Sequence, residues 1–134
     1  MGFSLFAVLQ LCYNKLTGSI PTQLGKLKRL SVLALQYNQL TGAIPASLGD
    51  LPMLRRLDLS FNYFFGSVPV WLVNAPMLEV LDIQNNSLSG MVPSGNMISL
   101  TYMLLCFKYR CFWRIKVVES SNVIFMALWM KTQI

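Results

Sequence analysis

Asp58 and Asp82 stand 24 residues apart and are the two side chains best spaced for chemistry. On neighbouring strands they would form a paired carboxylate. Retaining glycosidases use such a pair, about 5–5.5 Å apart, as acid and nucleophile. Arg56, two residues before Asp58, supplies an ionic neighbour. The surroundings argue against catalysis. Both aspartates lie in ordinary strand patterns, Leu57-Asp58-Leu59 and Leu81-Asp82-Ile83, and no run around them signals a cleft. The chain has no histidine, which removes Ser–His–Asp and Cys–His nucleophiles and the commonest zinc ligand. Cys12, Cys106 and Cys111 are odd in number and lack paired ligand spacing, so they read as small apolar fillers. The expectation is a non-enzyme with no cofactor and no metal.

Two further features carry chemistry. Asn85-Asn86-Ser87 is an N-glycosylation sequon at Asn85, relevant if the chain is secreted. The net charge is +6, with most of the excess after residue 100. Lys108, Arg110, Arg114, Lys116 and Lys131 face only Glu119 there. Lys26, Lys28, Arg29, Arg55 and Arg56 cluster in the middle of the chain and read as a solvated face. No continuous basic stripe runs through the sequence, so nucleic acid is not an expected partner.

The elements that position these residues follow from a fixed period. Asparagines recur at Asn14, Asn38, Asn62 and Asn86, glycines at Gly18, Gly42, Gly66 and Gly90, prolines at Pro21, Pro45, Pro69 and Pro93. A 24-residue period without insertion over four units predicts a solenoid. Apolar residues make up 54% of the chain, enough to fill its core. Each unit opens with a short strand whose leucines alternate: Leu9/Leu11, Leu33/Leu35, Leu57/Leu59 and Leu81/Ile83 point inward. Strands one period apart must stack in parallel. The asparagine that follows sits at a sharp bend, where its amide can serve backbone groups left unpaired. Asn14, Asn38, Asn62 and Asn86 are therefore expected to form an interior ladder. Ile20, Ile44, Val68 and Val92 point inward before the prolines, and Leu24/Leu27, Leu48/Leu51 and Leu72/Ala75 suit a short helical or 3₁₀ return arc.

The alternation leaves the other strand residues facing outward. The candidate binding face comprises Val32, Ala34, Gln36 and Tyr37; Arg56, Asp58, Ser60 and Phe61; and Val80, Asp82, Gln84 and Asn85. Stacking aligns them in contiguous columns about 4.8 Å per step, and exposed aromatics beside a few charges suit a protein interface.

The run Leu–x–x–Leu–x–Leu–x–x–Asn–x–Leu–x–Gly–x–Ile–Pro stands complete at Leu30–Pro45. With apolar replacements it recurs at Phe6–Pro21, Leu54–Pro69 and Leu78–Pro93. This pattern resembles the plant-type leucine-rich repeat of receptor-like kinases, receptor-like proteins and polygalacturonase-inhibiting proteins. The resemblance implies an α/β-type solenoid with a parallel β-sheet on the concave side. Short 3₁₀ or helical turns and loops line the convex side, and a second short strand forms near the Thr–Gly–x–Ile–Pro segment. It also implies a protein or peptide ligand, a co-receptor as a further partner, and an extracellular or plasma-membrane location in signalling or defence. The expected organisation is four repeats over residues 3–95, reading as a fragment of a longer receptor-like protein. An assembly role within a membrane receptor complex, or a non-functional truncated product, is the alternative.

The ends depart from the pattern. Phe3, Phe6, Leu9 and Leu11 match Leu27, Leu30, Leu33 and Leu35 one period on, so the N-terminus reads as repeat rather than as a signal peptide. Residues 96–134 form an apolar, basic segment. Met97, Leu100 and Met103 suit a degenerate fifth turn, but no asparagine follows at 110 or 111. The runs Met97–Phe107 and Val123–Met130 are too short for spanning helices, which need about 18 apolar residues or more. Three readings follow for the segment: a crude cap, a basic amphipathic surface on a membrane, or unrelated sequence appended to the array. The last fits the abrupt change in composition.

Overall fold

The computed structural model describes residues 6–89 and the backbone of three later strands, Tyr102–Phe107, Arg110–Glu119 and Asn122–Met130. The elements repeat. Strand β1 (Ala7–Gln10) leads to β2 (Thr17–Gly18), then a 3₁₀ turn at Thr22–Lys26. Next come β3 (Leu30–Ala34), β4 (Gln39–Leu40) and a 3₁₀ turn at Ala46–Asp50. The third round is β5 (Arg56–Asp58), β6 (Phe65–Gly66) and a single α-helical turn, α1 (Val70–Val73). β7 (Val80–Asp82) and β8 (Ser87–Leu88) follow, then β9 (Tyr102–Phe107), β10 (Arg110–Glu119) and β11 (Asn122–Met130).

The principal sheet runs β1-β3-β5-β7-β9-β10-β11. Its first strands are parallel and in the register of the 24-residue period: Val8 faces Val32, Leu33 faces Leu57, and Leu57 faces Leu81. Leu33, Leu57, Leu59, Leu81 and Ile83 are fully buried, each stabilising the fold by about 1.5–3 kcal/mol relative to exposure. Leu48, Leu51, Leu54, Leu72 and Leu78 close the core from the arc side. Pro21, Pro45 and Pro69 stand before the three arcs with φ of −64°, −66° and −63°, a geometry the ring enforces.

The second short strands form as the resemblance implied, pairing β2 with β4 and β6 with β8. Backbone bonds from Tyr63 to Leu40 and from Phe65 to Gly42 carry this edge on between them. Gly18, Gly42 and Gly66 turn the chain with φ near +81° to +86°, where a side chain is strained. The arcs pack so closely that a Cβ on Gly25 would come within 2.8 Å of Ser47, and one on Gly49 within 2.8 Å of the Trp71 backbone.

Position along the stack decides burial. Leu35 and Leu40 are core residues, whereas Leu11 and Leu16, their equivalents one unit earlier, are exposed, as are Phe6 and Leu27. Solenoid units bury their apolar faces only against neighbours on both sides, and no described turn covers the outer side of the first unit. Phe3, Val92, Met97 and Leu100 lie outside the described residues.

Beyond the last asparagine the sheet continues. β9 pairs in parallel with β7, Leu81 facing Met103 and Asp82 facing Leu104, so the step is 22 residues instead of 24. β10 and β11 then fold back antiparallel. A free strand edge at β7 offers unpaired N–H and C=O groups to any following extended segment, which is why pairing does not require the asparagine motif.

Candidate functional site

The principal sheet places the outward residues in columns. Val8, Val32, Arg56 and Val80 share one row of the register; Gln10, Ala34, Asp58 and Asp82 share the next. Backbone bonds from Tyr13 to Gln36, Tyr37 to Ser60 and Phe61 to Gln84 extend the ladder past the strands. Cys12, Gln36, Ser60 and Gln84 thereby align, as do Tyr13, Tyr37, Phe61 and Asn85.

The face presented to solvent is narrower than alternation alone predicts. Ala34, Asp58 and Ser60 point away from the core yet are 4%, 5% and 3% exposed. Short side chains in a closely stacked sheet are roofed by longer ones; Arg56 reaches across to Asp58, its Nη2 lying 3.8 Å from Oδ2. Val32, Gln36, Val80, Asp82 and Gln84 are half-buried, and Tyr37, Arg56 and Asn85 are exposed.

The two aspartates do come together, in register on adjacent strands. Their oxygens are already engaged, however. Asp58 Oδ1 accepts from the Ser60 N–H at 3.2 Å and the Ser60 hydroxyl at 2.7 Å. Asp82 Oδ1 accepts from the Gln84 N–H, and Oδ2 from the Gln84 amide, each at 3.2 Å. Burial pushes the Asp82 carboxyl up to about 6, with the neighbouring Asp58 charge adding to the rise and the Gln84 bonds and Arg56 opposing it. Each carboxylate fastens the residue two positions on, just past the end of its own strand. That is a structural use of both side chains. Among the described residues no group of Cys, Asp or Glu could hold a metal ion.

The fourth column is the most ordered feature of the face. The rings of Tyr13 and Tyr37 stack at 4.5 Å between centroids, and those of Tyr37 and Phe61 at 4.3 Å, with planes within 11°. All three residues, and Asn85 after them, have positive φ of 50° to 56°. Such a conformation is uncommon for a bulky non-glycine residue. The asparagine bend imposes it. Stacking returns about 0.5–1.5 kcal/mol per ring pair beyond burial. Sequence reasoning had the column but not the backbone conformation; the recurrence of the position just before each asparagine is the signal that marks it.

The asparagines fix the bend. Asn38 Nδ2 donates to Leu35 O at 3.0 Å and, one unit back, to Leu11 O at 2.9 Å; its Oδ1 accepts from Leu16 N at 3.0 Å. Asn62 and Asn86 repeat the pattern with Leu35 and Leu40, and with Leu59 and Phe64. Among the described residues Asn14 donates only within its own unit, to Leu11 O and Cys12 O. Sequence reasoning also passed over an aromatic group away from the concave columns. Tyr63, Phe65 and Trp71 are exposed, and Phe65 stands where other units have Thr17, Thr41 and Ser89. The Gln36 side-chain oxygen is buried without a hydrogen-bond partner among the described residues.

Comparison with known proteins places this geometry. The Arabidopsis receptor kinase HAESA, solved with the peptide hormone IDA and the co-receptor SERK1, is 34% identical, with a TM-score of 0.69 over 71% of this chain and 16% of that one. The Arabidopsis thaliana BIR3–SERK2 complex gives 38% identity and a TM-score of 0.62 over 63% of this chain and 46% of that one. A plant ice-binding protein gives 36% and 0.62 over 64% and 28%. The chain thus spans less than half the length of these relatives. No curated protein sequence matches it. Leucine-rich repeat models match residues 6–64 and 77–97, together more than half of the sequence. The chain belongs to the leucine-rich repeat family and is similar to plant receptor ectodomains.

Proposed function

We propose that the chain is a protein- or peptide-binding module of an extracellular receptor-like protein in plant signalling or defence, with a co-receptor as a further partner. The observation that carries this reading is the aromatic column Tyr13–Tyr37–Phe61, lying along a concave face that also bears Arg56, Asp58 and Asp82. Rigid aromatic anchors beside a few fixed charges are what interface hot spots are made of. The similar HAESA structure holds a peptide hormone and a co-receptor, and the BIR3–SERK2 structure is itself a complex of two proteins. The fold alone does not decide the matter, since a plant ice-binding protein shares it. Among the described residues no helix is long and apolar enough to cross a membrane.

The test is surface plasmon resonance of the full chain against the IDA peptide and the SERK1 ectodomain. Binding to one of these should weaken by about tenfold or more in Tyr37→Ala and Arg56→Ala, which is about 1.4 kcal/mol or more. Trp71→Ala, away from the concave columns, should leave it unchanged. Binding that is lost in Trp71→Ala and kept in the concave variants would overturn the reading.

A further inference from the structure

We propose that Asn85 carries an N-linked oligosaccharide and that its first sugar takes the fourth place in the aromatic column. The proposal rests on the extracellular reading, which supplies the secretory route. Asn85-Asn86-Ser87 is the sole Asn-x-Ser/Thr run in the 134 residues. The structure separates its two asparagines. Asn86 has its amide committed to Leu59, Ile83 and Gln84 carbonyls. The Asn85 side chain is exposed and has no hydrogen-bond partner among the described residues, and Ser87 is exposed as well.

Backbone conformation does not explain why residue 85 is asparagine. Asparagine tolerates positive φ, but Tyr13, Tyr37 and Phe61 hold the same φ with aromatic side chains. What changes at Asn85 is the column itself. Tyr37 stacks on one face of Phe61. The next rung, where Asn62 N–H bonds Asn85 O at 3.3 Å, brings no ring to the other. Asn85 and Phe61 sit on neighbouring rungs, whose backbones lie about 4.8 Å apart, so a sugar linked to Asn85 Nδ2 starts beside the Phe61 ring. Its C–H face can then lie along the side of the ring turned away from Tyr37.

The chemistry requires a polyprenyl-diphosphate-linked oligosaccharide as donor. The amide Nδ2 forms a bond to the sugar's C1 while the C1–oxygen bond to the diphosphate breaks. The bonding pair leaves with the polyprenyl diphosphate, and one amide proton passes to a base. Nothing is oxidised or reduced.

The test expresses the full chain behind a secretion leader in plant cells. The secreted protein should run above its Ser87→Ala and Asn85→Gln variants. A peptide N-glycosidase should abolish the difference and convert Asn85 to aspartate in the peptide spectrum. A secreted wild-type chain with unmodified Asn85 overturns the proposal, and this reading on the wild type does not depend on either variant folding. In NMR, the N-acetyl methyl of the first sugar should be shifted upfield by the Phe61 ring and return in Phe61→Ala; an unshifted methyl overturns the placement. Occupancy is read on the peptide itself, so a glycosylated chain that binds no partner supports this site and sinks only the binding reading.

Discussion

Asn62 Nδ2 donates to the carbonyl of Leu35, 27 residues earlier, at 2.9 Å. The same amide holds Leu59 O and Ser60 O in its own turn, and its Oδ1 accepts from Leu40 N. One side chain therefore satisfies four backbone groups in two successive turns. Removing a buried partner leaves those groups dry, at about 1–3 kcal/mol each before relaxation.

Asn62→Ala should therefore destabilise the chain by about 3 kcal/mol or more, a change large enough to unfold a marginal domain. Asn38→Ala should behave similarly. Asn14→Ala, whose side chain bonds its own exposed turn, should cost much less, as should Gln39→Ala at an exposed position. Urea melts of the four variants check the order; equal midpoints would remove the ladder from the account of stability.

Gly49→Ala tests the spacing of the arcs. The new Cβ meets backbone atoms of Trp71 at 2.8 Å, and backbone cannot swing aside as a side chain can. Overpacking of this kind costs about 1–3 kcal/mol. Gly18→Ala meets nothing within 4 Å but keeps a φ of +81°, so its cost is the smaller left-handed strain of about 1–2 kcal/mol. Calorimetry should therefore give Gly49→Ala the lower melting temperature.

At Tyr37 strain and stacking can be separated. Tyr37→Ala loses both ring contacts and keeps positive φ. Tyr37→Gly loses the same contacts and sheds the strain. The glycine variant should be the more stable of the two by about 1 kcal/mol, offset in part by its looser unfolded chain. A glycine variant markedly less stable than the alanine variant would show that the backbone there is unstrained.

Asp82 gives stability a pH dependence of defined sign. Its carboxyl is raised by burial from 3.8 to about 6, so between those values the folded chain binds more protons than the unfolded one. Stability should fall as pH rises from about 4 to about 6, the reverse of a salt-bridged carboxylate. Asp82→Asn should flatten that part of the curve. Denaturant midpoints taken across the window decide it, and an unchanged slope in the variant would assign the effect elsewhere.

The sequence by itself determined the repeat. Leucines, asparagines, glycines and prolines return every 24 residues because each serves a local need: an inward strand face, a bend with unpaired amides, a left-handed turn, a fixed φ. Such needs are met within one unit, so their residue types are legible one letter at a time. The candidate columns were legible for the same reason, since register follows from the period.

Only the tertiary structure decided what depends on neighbouring turns. Asp58 and Ser60 face outward by alternation and are nevertheless buried: Arg56 lies against Asp58, and the Ser60 hydroxyl is bonded to that carboxylate. Leu11 and Leu35 occupy equivalent places, yet one is exposed and the other is core, because burial needs a turn on each side. The three stacked rings share a left-handed backbone set by the bend beneath them. β9 joins β7 at a step of 22 residues because a strand edge recruits any extended segment whose backbone can reach it. Periodicity names the parts of each turn; contact between turns settles which of them reach solvent.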